Sequence, residues 1–281
     1  MKDEKFNQKP ATGTLVEIPL SAGRTAFGAS PQGYEAARPE YPPQVFEWLS
    51  ALGVESGRKF FEVGPGTGSA TRLLLRLEPA HLTAIEPDER MAGFLYQEFA
   101  GAANLHVVHS GFEEAALDDA AFDLGAAATS FHWLEQEAAL ARVHKLLRPG
   151  GWWCMWWNVF GDQEHPDAFE QASTPLFRQL TPTPSWTCDG RLPFALDEQA
   201  RRAQMAAAGL RRIEFHRLHW TLAMQTAQVL GLAATFSQVS LAEPERRAWF
   251  LDALGELVER EFGGSVERHF STVFYAGQRP D

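Results

Sequence analysis

The stretch KFFEVGPGTGSATRLLLRL, Lys59 to Leu77, limits what this chain can fold into more than any other. An apolar run ends in glycines at every second position, Gly64, Gly66 and Gly68, and a helical pattern begins at once. Ala70, Leu73, Leu74 and Leu77 are spaced as one helix face requires, and Pro79 closes the pattern. A strand that turns this tightly into a helix offers backbone N–H groups to a ligand. Glycine is needed wherever a side chain would block that approach.

The alternation continues downstream. HLTAIE (81–86), NLHVVH (104–109), FDLGAAAT (122–129) and WWCMWW (152–157) read as strands. Helices are expected over Pro43–Leu52, over DERMAGFLYQEFA, and on the face made by Ala139, Val143, Leu146 and Leu147, which the turn RPGG closes. Strands and helices in this order predict an α/β fold with a parallel sheet covered on both faces. Ligands of such sheets bind outside the carboxyl ends of the strands.

After Trp157 the rhythm breaks. Pro166, Pro175, Pro182, Pro184 and Pro193 mark residues 158–196 as a helical lid or substrate insertion. A helix over 197–208, the long strand LRRIEFHRLHWTL, a helix carrying Phe250, Leu254, Leu257, Val258 and Phe262 up to Gly263–Gly264, and the strand ERHFSTVFYAGQ follow. Residues 1–33 are expected to be a flexible arm, and 34–281 the domain.

Charge and composition exclude some functions. A formal net charge of −11 opposes nucleic acid or an anionic membrane as partner. No apolar run approaches spanning length, and MKDEKFNQKP lacks the apolar core of a signal peptide, so a cytoplasmic protein is expected. Cys154 and Cys188, the only cysteines, give no disulfide framework and no metal spacing. His106 and His109, like His216 and His219, sit on strands with no third ligand evident nearby, so no metal is expected. Monomer and homodimer both stay open.

The ligand can be narrowed. A dinucleotide fingerprint needs a third glycine at position 69, which is Ser69, and this counts against a nicotinamide-dependent oxidoreductase. Glu86 follows Gly68 by eighteen residues, at the end of the second strand, where a carboxylate can accept both hydroxyls of a ribose. Glu62 is placed to meet an ammonium group or to orient the loop. A ribose, a positive charge and no pyrophosphate describe S-adenosylmethionine.

EVGPGTG resembles the first motif of class I S-adenosylmethionine-dependent methyltransferases. AIEPDERM is similar to their second motif, and LLRPGGWW to the turn before their fifth strand. YEAARPEYP (34–42), ATSFHWLE (128–135) and the closing FSTVFYA further resemble the branch that includes trans-aconitate methyltransferase-like enzymes. The resemblance implies a Rossmann-like fold with a seven-stranded, mostly parallel sheet and an antiparallel C-terminal strand. It implies S-adenosylmethionine as cofactor, S-adenosylhomocysteine as product and a small-molecule acceptor. Glu62, Gly64, Gly66 and Gly68 would line the methionine and ribose, and Glu86 would hold the ribose hydroxyls. Pro87 and Met91 would flank the adenine, with Gly111, Phe112 and Glu113 closing over its edge. Thr129, where that branch often carries Gln, would lie under the methionine, and Tyr34 and Arg38 would cover the cofactor.

Methyl transfer is in-line displacement at an already activated sulfonium, so alignment and water exclusion carry much of the catalysis. His132 is the candidate general base, with a structural histidine as the alternative. Phe131, Trp133, Trp157, Phe160 and Trp186 fall around the expected acceptor side, and aromatic walls suit a flat or apolar acceptor. The acceptor group stays open among a carboxylate, a phenol and a heteroaromatic nitrogen. A catalytically silent S-adenosylmethionine-binding regulatory or scaffold domain is the rival from another class.

Overall fold

The computed structural model describes residues 18–21, 28, 30–183 and 192–281. Helices α1 (Pro31–Ala37) and α2 (Pro43–Ala51) precede β1 (Lys59–Val63). Then come α3 (Ser69–Leu75), β2 (His81–Glu86), α4 (Glu89–Glu98), β3 (Leu105–His109), β4 (Phe122–Ala128), α5 (Gln136–Leu146) and β5 (Leu147–Val159). The second half adds α6 (Ala168–Phe177), α7 (Glu198–Ala207), β6 (Arg211–Gln225), α8 (Thr226–Ala234), α9 (Ser237–Ser240), α10 (Pro244–Phe262) and β7 (Ser265–Gln278).

The seven strands form one sheet in the order β3-β2-β1-β4-β5-β7-β6. Strands β1 to β5 pair in parallel, and β7 runs antiparallel between β5 and β6. The order reverses beside β1, so the ends of β1 and β4 open a crevice.

Why the central strands read as unbroken apolar runs is visible in β5. Trp153, Met155 and Trp157 point to one face and join Phe61, Leu140, Val143 and Met205. Trp152, Cys154 and Trp156 point to the other and join Leu49, Leu74, Leu82 and Phe274. Both faces are buried, so neither register position tolerates a polar residue. The expected turn at RPGG lies inside β5 instead. Phe122 pairs with Leu147 and Leu124 with Trp152, so Arg148–Gly151 bulges out of the ladder.

Strands β6 and β7 outrun the sheet. β5 pairs with β7 only from Ser271 to Gln278, whereas β6 continues to Gln225 opposite Ser265. The projecting two-stranded ribbon carries a separate apolar core: Phe169 and Leu176 of α6, Val229 and Leu232 of α8, Val239 of α9, and Phe250, Leu254 and Val258 of α10. The cap over the crevice thus combines part of the 158–196 segment with residues 226–262. Helices α8 and α9 have no counterpart in the sequence reading. Helix α8, TAQVLGLAA, is apolar on nearly every side and shows no distinct helical stripe, and α9 is only 4 residues long. No helix among the described residues is long and apolar enough to cross a membrane. Most of the expected arm, with Trp186 and Cys188, lies outside the described residues.

Candidate functional site

The glycine loop between β1 and α3 is held from both sides. Gly64 N–H donates to Ile85 O and Gly68 N–H to Pro65 O, both at 2.9 Å. Gly66 adopts φ +58, and a Cβ built there meets nothing within 4 Å, so its main chain borders open space. Gly68, at φ +96, serves another purpose. A Cβ there would lie 2.4 Å from the Phe99 ring, so this glycine permits close packing of the loop on the end of α4 and lines neither of the two cavities described below.

Glu86 ends β2 with its side chain buried. Its Oε2 accepts Gly66 N–H and its Oε1 accepts Asp88 N–H, each at 2.9 Å. Burial raises its pKa, the two N–H donors oppose this, and the result is about 7. Asp88 in turn caps α4 through Arg90 N–H at 2.9 Å.

Glu62 lies one layer deeper, fully buried, and lines neither cavity. Its Oε2 accepts the Thr71 hydroxyl at 2.7 Å, while Oε1 has no hydrogen-bond partner. Burial, with nearby Glu86 adding to it against the Thr71 bond, pushes its pKa up to about 8.

A cavity of about 1110 Å³, counting its open mouth, lies over this loop. Of the expected residues, Tyr34, Arg38, Gly64, Gly66, Glu86, Pro87, Met91, Gly111, Phe112, Thr129 and Trp133 line it, whereas Glu62, Gly68 and Glu113 do not. Thr129 holds a left-handed φ of +54, unusual for a β-branched residue. Its hydroxyl is 2.9 Å from the Tyr41 hydroxyl, and its N–H donates to Trp156 O at 2.8 Å.

Helix α1 is latched across the loop. Glu35 accepts the Thr67 hydroxyl and pairs with Arg72 at 2.7 Å. Arg38 donates to Thr235 Oγ1 at 3.1 Å and Thr235 O at 3.2 Å, tying α1 to the cap, and lies 4.5 Å over the Tyr34 ring.

A second cavity, about 1340 Å³, lies between sheet and cap. It shares Tyr34, Arg38, Thr129, Trp133, Asn158 and Phe160 with the first, so the two adjoin. Trp157 and His132 line it too. Two expectations are corrected here. Phe131 is fully buried, packs 5.0 Å from Trp153 and lines neither cavity, because the 3₁₀ turn Phe131–Trp133 directs it into the core. His132 is a poor general base: its Nδ1 accepts Trp157 Nε1–H at 3.0 Å, and burial, reinforced by Arg38, lowers its pKa to about 3. It stays neutral and orients Trp157.

Other lining residues escaped the sequence reading. Asn158 donates to Pro39 O and Glu40 O and accepts the Thr272 hydroxyl at 2.7 Å. A polar residue ending the apolar β5 run was a readable signal for it. Glu170, Gln238 and Arg268 carried none, since cap folding alone brings them to the cavity. The expectation that no third ligand lies near His219 is also overturned: Asp162 and His165 bring donor atoms within 4.8 Å of its own.

Residues 61–155 match the family model described as Methyltransferase domain. Over 138 residues, 49% of this chain and 53% of the relative, the sequence is 32% identical to an uncharacterized methyltransferase of Schizosaccharomyces pombe. It is 26% identical over 172 residues to a trans-aconitate 2-methyltransferase of an Acidovorax species, covering 60% of this chain and 61% of that one. The chain therefore spans about half the length of the first of these relatives. The fold is similar to that of Haemonchus contortus phosphoethanolamine N-methyltransferase 2, solved with S-adenosyl-L-methionine, with TM-score 0.55 at 12% identity over 90% of this chain and 57% of that one. The residues present fit such a cofactor: the side-chain-free Gly66 backbone and the buried Glu86 carboxylate border one cavity. Strand order and family match concur: residues 61–155 are a methyltransferase domain, set in a sheet of Rossmann-like class I order.

Proposed function

We propose that this chain methylates a small molecule that presents an O–H or N–H group on an aromatic or apolar body. The observation that carries the reading is the shared wall: a cavity over the glycine loop opens beside a second one across Tyr34, Thr129, Trp133 and Asn158. Glu86 and the Gly64–Gly66 backbone would hold the nucleoside and methionine parts of the cofactor, and Pro87 and Met91 the base. Bound there, S-adenosylmethionine supplies an activated methyl group.

The second cavity supports the acceptor class. Trp157, Phe160, Phe177, Phe194 and Phe236 give it aromatic walls that exclude water and align a flat ligand. Its polar groups lean toward acceptance. Gln238 is buried and its Oε1 has no partner, and Glu170 adds its carboxyl oxygens to the lining. Both arginines on its wall are engaged, Arg268 with Asp167 at 2.9 Å and Arg38 with Thr235. A phenol or ring N–H therefore suits the lining better than a carboxylate does. His132 orients Trp157, and no proton transfer is assigned to it.

The test is formation of S-adenosylhomocysteine from labelled S-adenosylmethionine against matched panels of phenols, nitrogen heteroaromatics and carboxylates. Turnover confined to the first two panels is the expected result. Binding of S-adenosylhomocysteine without turnover on any panel returns the silent-domain reading, and binding of NAD in its place removes the proposal.

A further inference from the structure

We propose that Asp162, His165 and His219 form a binding site for one divalent transition-metal ion, of which Zn²⁺ is the natural probe, at the joint between sheet and cap. Asp162 and His165 lie in the loop from β5 to α6, and His219 on β6, so the fold unites ligands fifty-seven residues apart. Their donor atoms all fall within 4.8 Å of one another, and they form such a group among the described residues. Two imidazoles and one carboxylate match the nitrogen and oxygen donors that zinc takes.

The carboxylate is fixed before any ion arrives. Asp162 is buried, and its Oδ1 accepts Glu164 N–H at 3.0 Å and His165 N–H at 3.3 Å. Its Oδ2 is thereby aimed at both rings, 2.6 Å from His219 Nδ1 and 3.4 Å from His165 Nδ1. Tetrahedral zinc with bonds of about 2.0–2.1 Å sets its ligand atoms about 3.3 Å apart. The His165 separation already meets that spacing. His219 needs to withdraw by about 0.7 Å, which a partly exposed side chain can do.

Each imidazole then binds through Nδ1, releases any proton held there and keeps one on Nε2. Around the ligands sit groups that would orient them. The Glu164 carboxylate is 3.8 Å from His219 Nε2, and His269 Nδ1 is 2.8 Å from the His165 carbonyl. His165 is 67% exposed, which leaves an entry path and room for water as a fourth ligand. Gly161 and Gln163, interleaved with the ligands, line the second cavity, so the ion would stiffen that rim.

The experiment uses the full chain without affinity histidines, stripped with chelator and titrated with Zn²⁺ by calorimetry. Co²⁺ provides a visible-absorption readout of low-coordinate ligation. We expect one equivalent per chain and a rise in melting temperature with Zn²⁺. His165→Ala and His219→Ala should each weaken binding by at least about tenfold, since even loss of a group that only orients a ligand costs that much. His165→Ala removes an exposed side chain, so its folding is not at risk, and Asp162→Asn keeps the shape while removing the charge. Failure to saturate at one equivalent, or affinity unchanged in both histidine variants, would overturn the site and leave a proton-bridged Asp162–His219 pair. Neither result depends on methyl transfer.

Discussion

The carboxylate of Glu86 holds the N–H of Gly66 at 2.9 Å, so the acid ending β2 is bonded to the bare main chain that follows β1. These two features, twenty residues apart, face one cavity as a single device. The bond fixes the loop while the remaining lone pairs of the carboxylate stay available to a diol.

Replacing Glu86 with Ala should weaken binding of S-adenosylhomocysteine by about 2–3 kcal/mol, or about 30- to 150-fold, since hydrogen bonds to a charged group are worth about 1.5–3 kcal/mol each. Far-ultraviolet circular dichroism should be unchanged, because the sheet register around β2 rests on its ladder bonds. Calorimetry that returned an unaltered dissociation constant would remove Glu86 from the site.

Two glycines of the same loop should fail differently. Gly66→Ala meets open space, so it costs only the left-handed backbone penalty of about 1–2 kcal/mol, but its methyl enters the cavity and cofactor affinity falls. Gly68→Ala drives a methyl against Phe99 and Leu95, so it should destabilise the fold further while bound cofactor loses no contact with that position. Urea denaturation paired with calorimetry separates them, and identical profiles for the two variants would refute the division.

That division marks the limit of what the sequence disclosed. The spacing of Gly64, Gly66 and Gly68 and the acid at 86 located the crevice, because local turn geometry and strand ends are encoded in adjacent residues. Which glycine faces a ligand and which faces Phe99 depends on where α4 packs, and that is long-range information. Phe131 and His132 show the same limit. Their position after β4 was legible, but the 3₁₀ turn that buries one and locks the other on Trp157 was not. The cap was the least legible part. Its core draws on α6, α8, α9 and α10 together, and no one of their short patterns specifies the partner.

Buried Glu62 gives stability a definite pH dependence. Its folded pKa, about 8, lies above its ordinary value of 4.5, so the native state retains a proton that the unfolded chain has released. Stability therefore falls as pH rises through that interval, by at most about 1.4 kcal/mol per pH unit per group. His132, lowered to about 3 from 6.5, acts in the opposite sense, but only below pH 6.5. Glu86, raised to about 7, adds to the decline up to that pH, so the window that isolates Glu62 is pH 7 to 8. Glu62→Gln retains an acceptor for the Thr71 hydroxyl and should flatten the decline there. Equal slopes for wild type and variant in chemical denaturation would show that Glu62 titrates normally.

The buried pair Arg268–Asp167 should be the cap's most sensitive joint. Asp167 caps α6 through Glu170 N–H at 2.6 Å and also accepts His269 N–H at 2.8 Å and Arg268 Nε–H at 2.9 Å. Arg268→Met leaves that carboxylate buried without its cation, at a cost of about 3–5 kcal/mol. Adding Asp167→Asn should recover part of the loss, because the amide oxygen can still cap the helix. A melting temperature within a degree or two of wild type for Arg268→Met would show that water already compensates the charge.

Gln238 tests the acceptor class from the opposite direction. Its Oε1 is buried without a partner on the wall of the second cavity, an arrangement that costs stability unless a ligand donates to it. Gln238→Met keeps length and bulk while removing the amide. Stability should therefore hold or rise by about 1 kcal/mol, whereas KM for an O–H or N–H acceptor should increase about tenfold, the value of one lost hydrogen bond at a desolvated site. Affinity for S-adenosylhomocysteine should not change, since Gln238 does not line the first cavity. A variant that loses stability with KM untouched would mean that the amide serves the cap alone, and the acceptor would then need a different recognition group.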